Sequence, residues 1–101
     1  MIVREWTGTV RADDAPAYLA LMRRHALADY QRVPGNLGAQ VWHRAEADDT
    51  VRFVTVSWWE SLAAVAAFAG DDIDAATYYT FDDDYLIDRG PRVRHYLAHT
   101  D

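Results

Sequence analysis

The chain has 101 residues, 16 acidic and 10 basic, for a formal charge of −6. That length fits one domain, residues 1–101, and leaves little apolar surface to spare for a large core. Half the residues are hydrophobic and 13% are aromatic, which argues for a folded chain rather than a disordered one. The sequence contains no cysteine, so disulfides, thiolate metal sites and cysteine nucleophiles are excluded. All the basic residues are Arg, so Schiff-base chemistry and a P-loop lysine are excluded too. The acidic balance disfavours nucleic acid as a partner. No long apolar run spans a membrane, and the start carries Arg4 and Glu5 where a signal peptide is apolar. A cytoplasmic protein is the expectation.

Ile2 to Val10 alternates and is rich in strand formers, with Ile2, Arg4, Trp6, Gly8 and Val10 sharing one face. Asp13-Asp14-Ala15-Pro16 reads as a helix start, because a carboxylate favours the free amides and Pro suits the first turn. The helix runs to about Gln31, with Tyr18, Leu21, Met22 and His25 forming one stripe that faces the sheet. Pro34-Gly35 closes it. Leu37 to Arg44 and Val51 to Trp58 are the next strands, joined by a polar hairpin connection from Ala45 to Thr50. The third strand has large apolar side chains on both faces, so it needs cover above and below.

Glu60 to Ala69 is Ala-rich and helical, ending at Gly70. Residues 71 to 88 read as an ordered but irregular connection, and Arg92 to His99 as the last strand. The order is β-α-β-β-α-β, an α+β ferredoxin-like arrangement: a four-stranded antiparallel sheet with both helices on one face. The opposite face then stands open, and a second copy of the chain is expected to cover it as a homodimer.

Pro34-Gly35-Asn36-Leu37-Gly38-Ala39, Trp58-Trp59-Glu60-Ser61, Phe68-Ala69-Gly70-Asp71 and Val93-Arg94-His95-Tyr96 together resemble the antibiotic biosynthesis monooxygenase-like proteins, in particular an uncharacterised bacterial branch. The resemblance implies pairing sheet to sheet as a dimeric α/β barrel. It also implies a pocket between helices and sheet, which in some members carries out oxygenation without metal or organic cofactor. Such chemistry needs a base, a donor to a developing oxyanion and a dry aromatic pocket. His25 and His95 are the candidate catalytic bases, because histidine titrates near neutrality. Trp58, Trp59, Tyr78 and Tyr79 are the candidate substrate-binding residues, the tyrosines as a lid.

Adjacent extended residues point to opposite sides, so one of Trp58 and Trp59 faces the pocket and the other packs in the core or against a partner. The ligand expected is a small hydrophobic or aromatic molecule, with no cofactor. The haem-degrading branch carries Asn, Trp and His. Its Asn position falls here among Arg4, Glu5 and Trp6, and its His position at Tyr78 and Tyr79, so the chain departs from that pattern. His95 and His99 lie four residues apart on a strand, about 13 Å, too far to share an ion, and no metal site is expected. The acidic run from Glu60 to Asp88 lacks the glycine of a calcium loop and reads as solvated surface. A non-catalytic binding protein is the alternative to the enzyme.

Overall fold

The computed structural model describes residues 1–89 and 93–100. β1 (Ile2–Arg11) lies beside β3 (Thr50–Trp59) along its whole length, Ile2 opposite Trp59 and Arg11 opposite Thr50. β2 (Asn36–Ala45) pairs with the outer edge of β3. The far edge of β1 takes two short strands, β4 (Leu86–Arg89) and β5 (Arg94–Leu97), at opposite ends. All these pairings are antiparallel, and the fold is ferredoxin-like.

The alternation in β1 becomes a burial pattern: Ile2, Arg4, Trp6, Gly8 and Val10 are buried and their neighbours only partly so. Register brings Trp59, Ser57, Thr55, Phe53 and Val51 of β3 onto the same face. Against this face pack α1 (Ala15–Leu21), a π-helical turn (Met22–Ala26) and α2 (Leu27–Arg32), entered through a 3₁₀ turn at Ala12–Asp14. Tyr18, Met22, Ala26 and Tyr30 are the buried residues of this helical run. Four-residue steps on a regular α-helix advance about 40° each around the axis. The wider π turn takes up part of that drift and keeps the stripe aimed at the sheet. His25 is therefore not on the buried stripe: it is exposed, with its neighbour Ala26 turned inward instead.

α3 (Leu62–Ala69) begins at Ser61, whose hydroxyl accepts the Ala64 N–H at 3.2 Å, a capping contact. It ends at Gly70, where φ is +85°. Residues 70–81 form a strap without helix, followed by the single turn α4 (Asp82–Tyr85) and β4. The sequence reading missed α4 and β4, because three consecutive aspartates are poor helix formers and a four-residue strand has little periodicity. The last strand is shorter than expected, Arg94–Leu97, and the Arg92 at its expected start lies outside the described residues.

Away from the helices, Val3, Val54, Val56, Trp58, Trp42 and Tyr96 share the opposite face of the sheet. Trp42 and Tyr96 there are 51% and 47% exposed. A cleft of about 460 Å³ opens on this face, lined by Glu5, Trp42, His43, Arg44, Arg52 and Val54. Among the described residues, no helix is long and apolar enough to cross a membrane.

The join between α2 and β2 depends on Gly35, at φ +92°, where an added Cβ would lie 2.6 Å from the Ala64 Cβ. Gly35→Ala is expected to destabilise the fold by about 1–3 kcal/mol, read as a lower urea midpoint at unchanged slope.

Candidate functional site

Three elements converge where the first strand passes under the strap. Arg4 occupies a core position between Ile2 and Trp6 and is 1% exposed. Its Nη1 donates to the Ile73 carbonyl at 2.5 Å and its Nη2 to the Ala75 carbonyl at 3.1 Å. Nη1 also lies 3.1 Å from His95 Nε2, brought opposite Arg4 by the β1–β5 register. On its other side, His95 Nδ1 is 3.0 Å from Asp74 Oδ1. Asp74 accepts only if Nδ1 carries the hydrogen, which leaves the Nε2 lone pair to accept from Arg4. The contacts thus select one neutral tautomer of His95.

Burial lowers the His95 pKa from its ordinary value, helped by the Arg4 charge and opposed by Asp74. Burial likewise lowers that of Arg4. Among the described residues, no carboxylate forms an ion pair with Arg4, and its Nε has no hydrogen-bond partner. The nearby Trp6 Nε1, on the same face, is also buried and unpartnered.

The wall around Arg4 is aromatic. The Phe68 ring centroid of α3 lies 5.6 Å from the guanidinium carbon. Phe68 in turn packs on Tyr30 at 4.6 Å and on Trp59 at 5.8 Å. Trp59 is fully buried and donates from Nε1 to Ser57 Oγ at 2.8 Å. Tyr30 meets Thr55 Oγ1 at 3.2 Å, and burial pushes its hydroxyl pKa up. A desolvated cation beside aromatic rings and a neutral imidazole can hold a negatively charged oxygen and accept a proton.

A second polar cluster anchors α4. Tyr18 donates to Asp82 Oδ1 at 2.7 Å, and the Tyr79 amide donates to Asp82 Oδ2 at 2.7 Å. Asp82 is 2% exposed, so the acidic run is not surface throughout: this member is a buried acceptor. Sequence gave no sign of this, because its partner Tyr18 lies 64 positions away.

The expected site residues divide between separate places. His95 and Trp59 join the Arg4 cluster. Tyr79 stacks on Phe81 with centroids 5.3 Å apart and donates from its hydroxyl to Asp29 Oδ2 at 2.9 Å. His25 lies over the same Phe81 at 5.7 Å, from the exposed side. Tyr78 packs under the Arg89 guanidinium at 4.8 Å. Trp58 stands on the opposite sheet face from Trp59, so the pair does not line one pocket. Sequence reasoning missed Arg4 and Asp74. The available signal was a charged residue inside the apolar stripe Ile2, Trp6, Val10.

The chain belongs to the antibiotic biosynthesis monooxygenase family, whose model matches residues 1–73. Solved structures agree with the fold. A putative antibiotic biosynthesis monooxygenase from Nitrosomonas europaea is 21% identical, covering 97% of this chain and 98% of its own, with a TM-score of 0.67. A putative family protein from Bacillus cereus is 15% identical over 99% of this chain and 96% of its own, at 0.64. The haem-degrader MhuD from Mycobacterium tuberculosis, solved with two haems in its active site, is 21% identical over 100% of this chain and 98% of its own, at 0.67. No curated protein matches the chain.

Asp82→Ala leaves the Tyr18 hydroxyl and the Tyr79 amide without their acceptor, and is expected to lower stability by about 2–4 kcal/mol in urea unfolding. For His95 the folded pKa lies below the unfolded one, so the unfolded chain binds the extra proton first as pH falls. Its contribution to stability is intact above the unfolded value of about 6.5 and is lost as pH drops toward the folded one. Thermal melts of the parent and of His95→Gln, taken from about pH 7.5 to 5, should show a smaller acid loss in the variant.

Proposed function

We propose that this chain is a cofactor-independent monooxygenase-like enzyme acting on an aromatic or polyketide-like small molecule. The observation that carries the reading is the buried Arg4–His95–Asp74 cluster with its wall of Tyr30, Phe68 and Trp59. Membership of the antibiotic biosynthesis monooxygenase family supports it.

In this reading the substrate carries an acidic methylene conjugated with a carbonyl, beside it or through an aromatic ring as in an anthrone. His95 Nε2 takes a proton from that carbon, and Asp74 steadies the imidazolium through Nδ1. Arg4 receives the enolate oxygen, turning a hydrogen now given to His95 or the strap toward the ligand. The electron-rich carbon then reacts with O₂ to give a hydroperoxide, which loses water to leave a new carbonyl. One oxygen atom ends in the product and the other in water, and all the reducing electrons come from the methylene carbon. Trp59 and Phe68 keep the layer dry. His25, on the exposed side of Phe81, has no part in this step.

Haem fits the cluster poorly. The Asn and His positions of the haem-degrading branch fall here among Arg4, Glu5 and Trp6 and at Tyr78 and Tyr79, so the chain lacks that branch's residues at those places.

The second copy of the chain is assigned to the open sheet face. Val3, Val54, Trp42, Trp58 and Tyr96, set around the buried Val56, form an apolar surface across four strands, of a kind that monomers rarely leave in water. Sedimentation should return about twice the 11.5 kDa chain mass. Val54→Asp should shift it toward the monomer, and a monomeric parent would reject the pairing.

Oxygen uptake with anthrone is the test of activity. The expected result is uptake that His95→Gln reduces at least tenfold, the lower end of the ~10²–10⁴-fold worth of a general base being allowed for. His25→Ala should change it less than twofold. No uptake by the parent would reject the enzyme and favour a binding protein.

A further inference from the structure

The Arg4 guanidinium is buried, positively charged and met by neutral groups. Each terminal nitrogen points at one carbonyl of the strap, Nη1 at Ile73 and Nη2 at Ala75. That is the pattern in which a single carboxylate presents its two oxygens to an arginine. A carboxylate would make the same two bonds and add a countercharge in direct contact, whereas Asp74 acts on Arg4 only from beyond His95. The Arg4 Nε is a further buried donor without a partner, as is Trp6 Nε1 two residues along the same strand face.

Around this point, besides the bonds from Arg4, His95 Nδ1 meets Asp74 Oδ1 at 3.0 Å, the Val93 amide donates to the Asp74 carbonyl at 2.7 Å and the Ala75 amide to that of Asp72 at 3.1 Å. Asp74 is more than half exposed at its side chain, and Asp71 and Asp72 are exposed. The strap can therefore leave Arg4 and satisfy its two carbonyls with water. Beneath it, Phe68 presents a ring face beside the guanidinium.

We propose that Arg4 is the anion seat of this layer, that its ligand is an aromatic carboxylate, and that the strap carbonyls of Ile73 and Ala75 close the seat when it is empty. The ligand's two oxygens displace those two carbonyls and its ring stacks toward Phe68. This rests on the reading that an aromatic molecule enters between helices and sheet, and does not require that it be oxidised there.

The test is calorimetric titration of the full-length chain with 1-naphthoate and with 1-naphthamide, a neutral molecule of nearly the same shape. Naphthoate is expected to bind at least tenfold more tightly than the amide. Arg4→Met should weaken naphthoate at least tenfold and leave the amide within about twofold. Arg4→Gln, which keeps a donor for the strap, serves where Arg4→Met does not fold, with the same expectation. Equal affinity for acid and amide, an unchanged naphthoate affinity in the variants, or no naphthoate binding by the parent would overturn the proposal. Oxygen uptake is read separately. Arg4-dependent naphthoate binding without uptake from anthrone rejects the oxygenase and keeps the anion seat. Uptake without naphthoate binding does the reverse.

Discussion

The desolvation of one guanidinium organises the upper half of this molecule. Arg4 reaches its place because strict alternation in β1 puts every second residue on the helix face, and position 4 is one of them. A cation taken out of water must find partners, and this one recruits them from elements far apart in sequence. It collects two strap carbonyls, an imidazole from the last strand and a ring face from α3. The protonation of His95 follows, since a second positive charge at Nε2 would face the first and lose the bond between them.

The remainder of the core is ordinary by comparison. Val10, Phe53, Val65 and Trp59 are closed off from solvent, and burying such side chains contributes about 1.5–3 kcal/mol each. Tyr18 and Asp82 fasten α4 to the first helix with a buried hydrogen bond. These contacts build a platform on which the Arg4 cluster is held at fixed geometry. A buried charge in such a position lowers stability relative to a well-packed apolar group of similar size.

Much of the fold was legible because it is written in period and punctuation. The alternation of β1 and β3, the Pro34-Gly35 stop and the Gly70 stop each have a local physical cause that one sequence displays. The helix stripe was half legible: Tyr18 and Met22 face the sheet as expected, but the π turn moved the stripe onto Ala26 and left His25 outside. Nothing local specifies a π turn in Met22–Ala26. α4 and β4 were illegible for a different reason, since they are fixed by Tyr18 and by the edge of β1, both remote in sequence. Of the residues in the candidate cluster, His95 was singled out by residue type and face, and Trp59 by the resemblance. Asp74 was hidden in an acidic run that otherwise reads as surface, and Arg4 was visible as a charge among apolar neighbours without being weighed as one.

The central claim is that Arg4 holds the strap locally while the sheet stands without it. Amide hydrogen exchange in the parent and in Arg4→Met measures this directly. Protection in the β1–β3 ladder should be unchanged in the variant, while amides of residues 72–79 exchange faster. Loss of protection across β1 and β3 as well, or a strap that exchanges as slowly as in the parent, would contradict it.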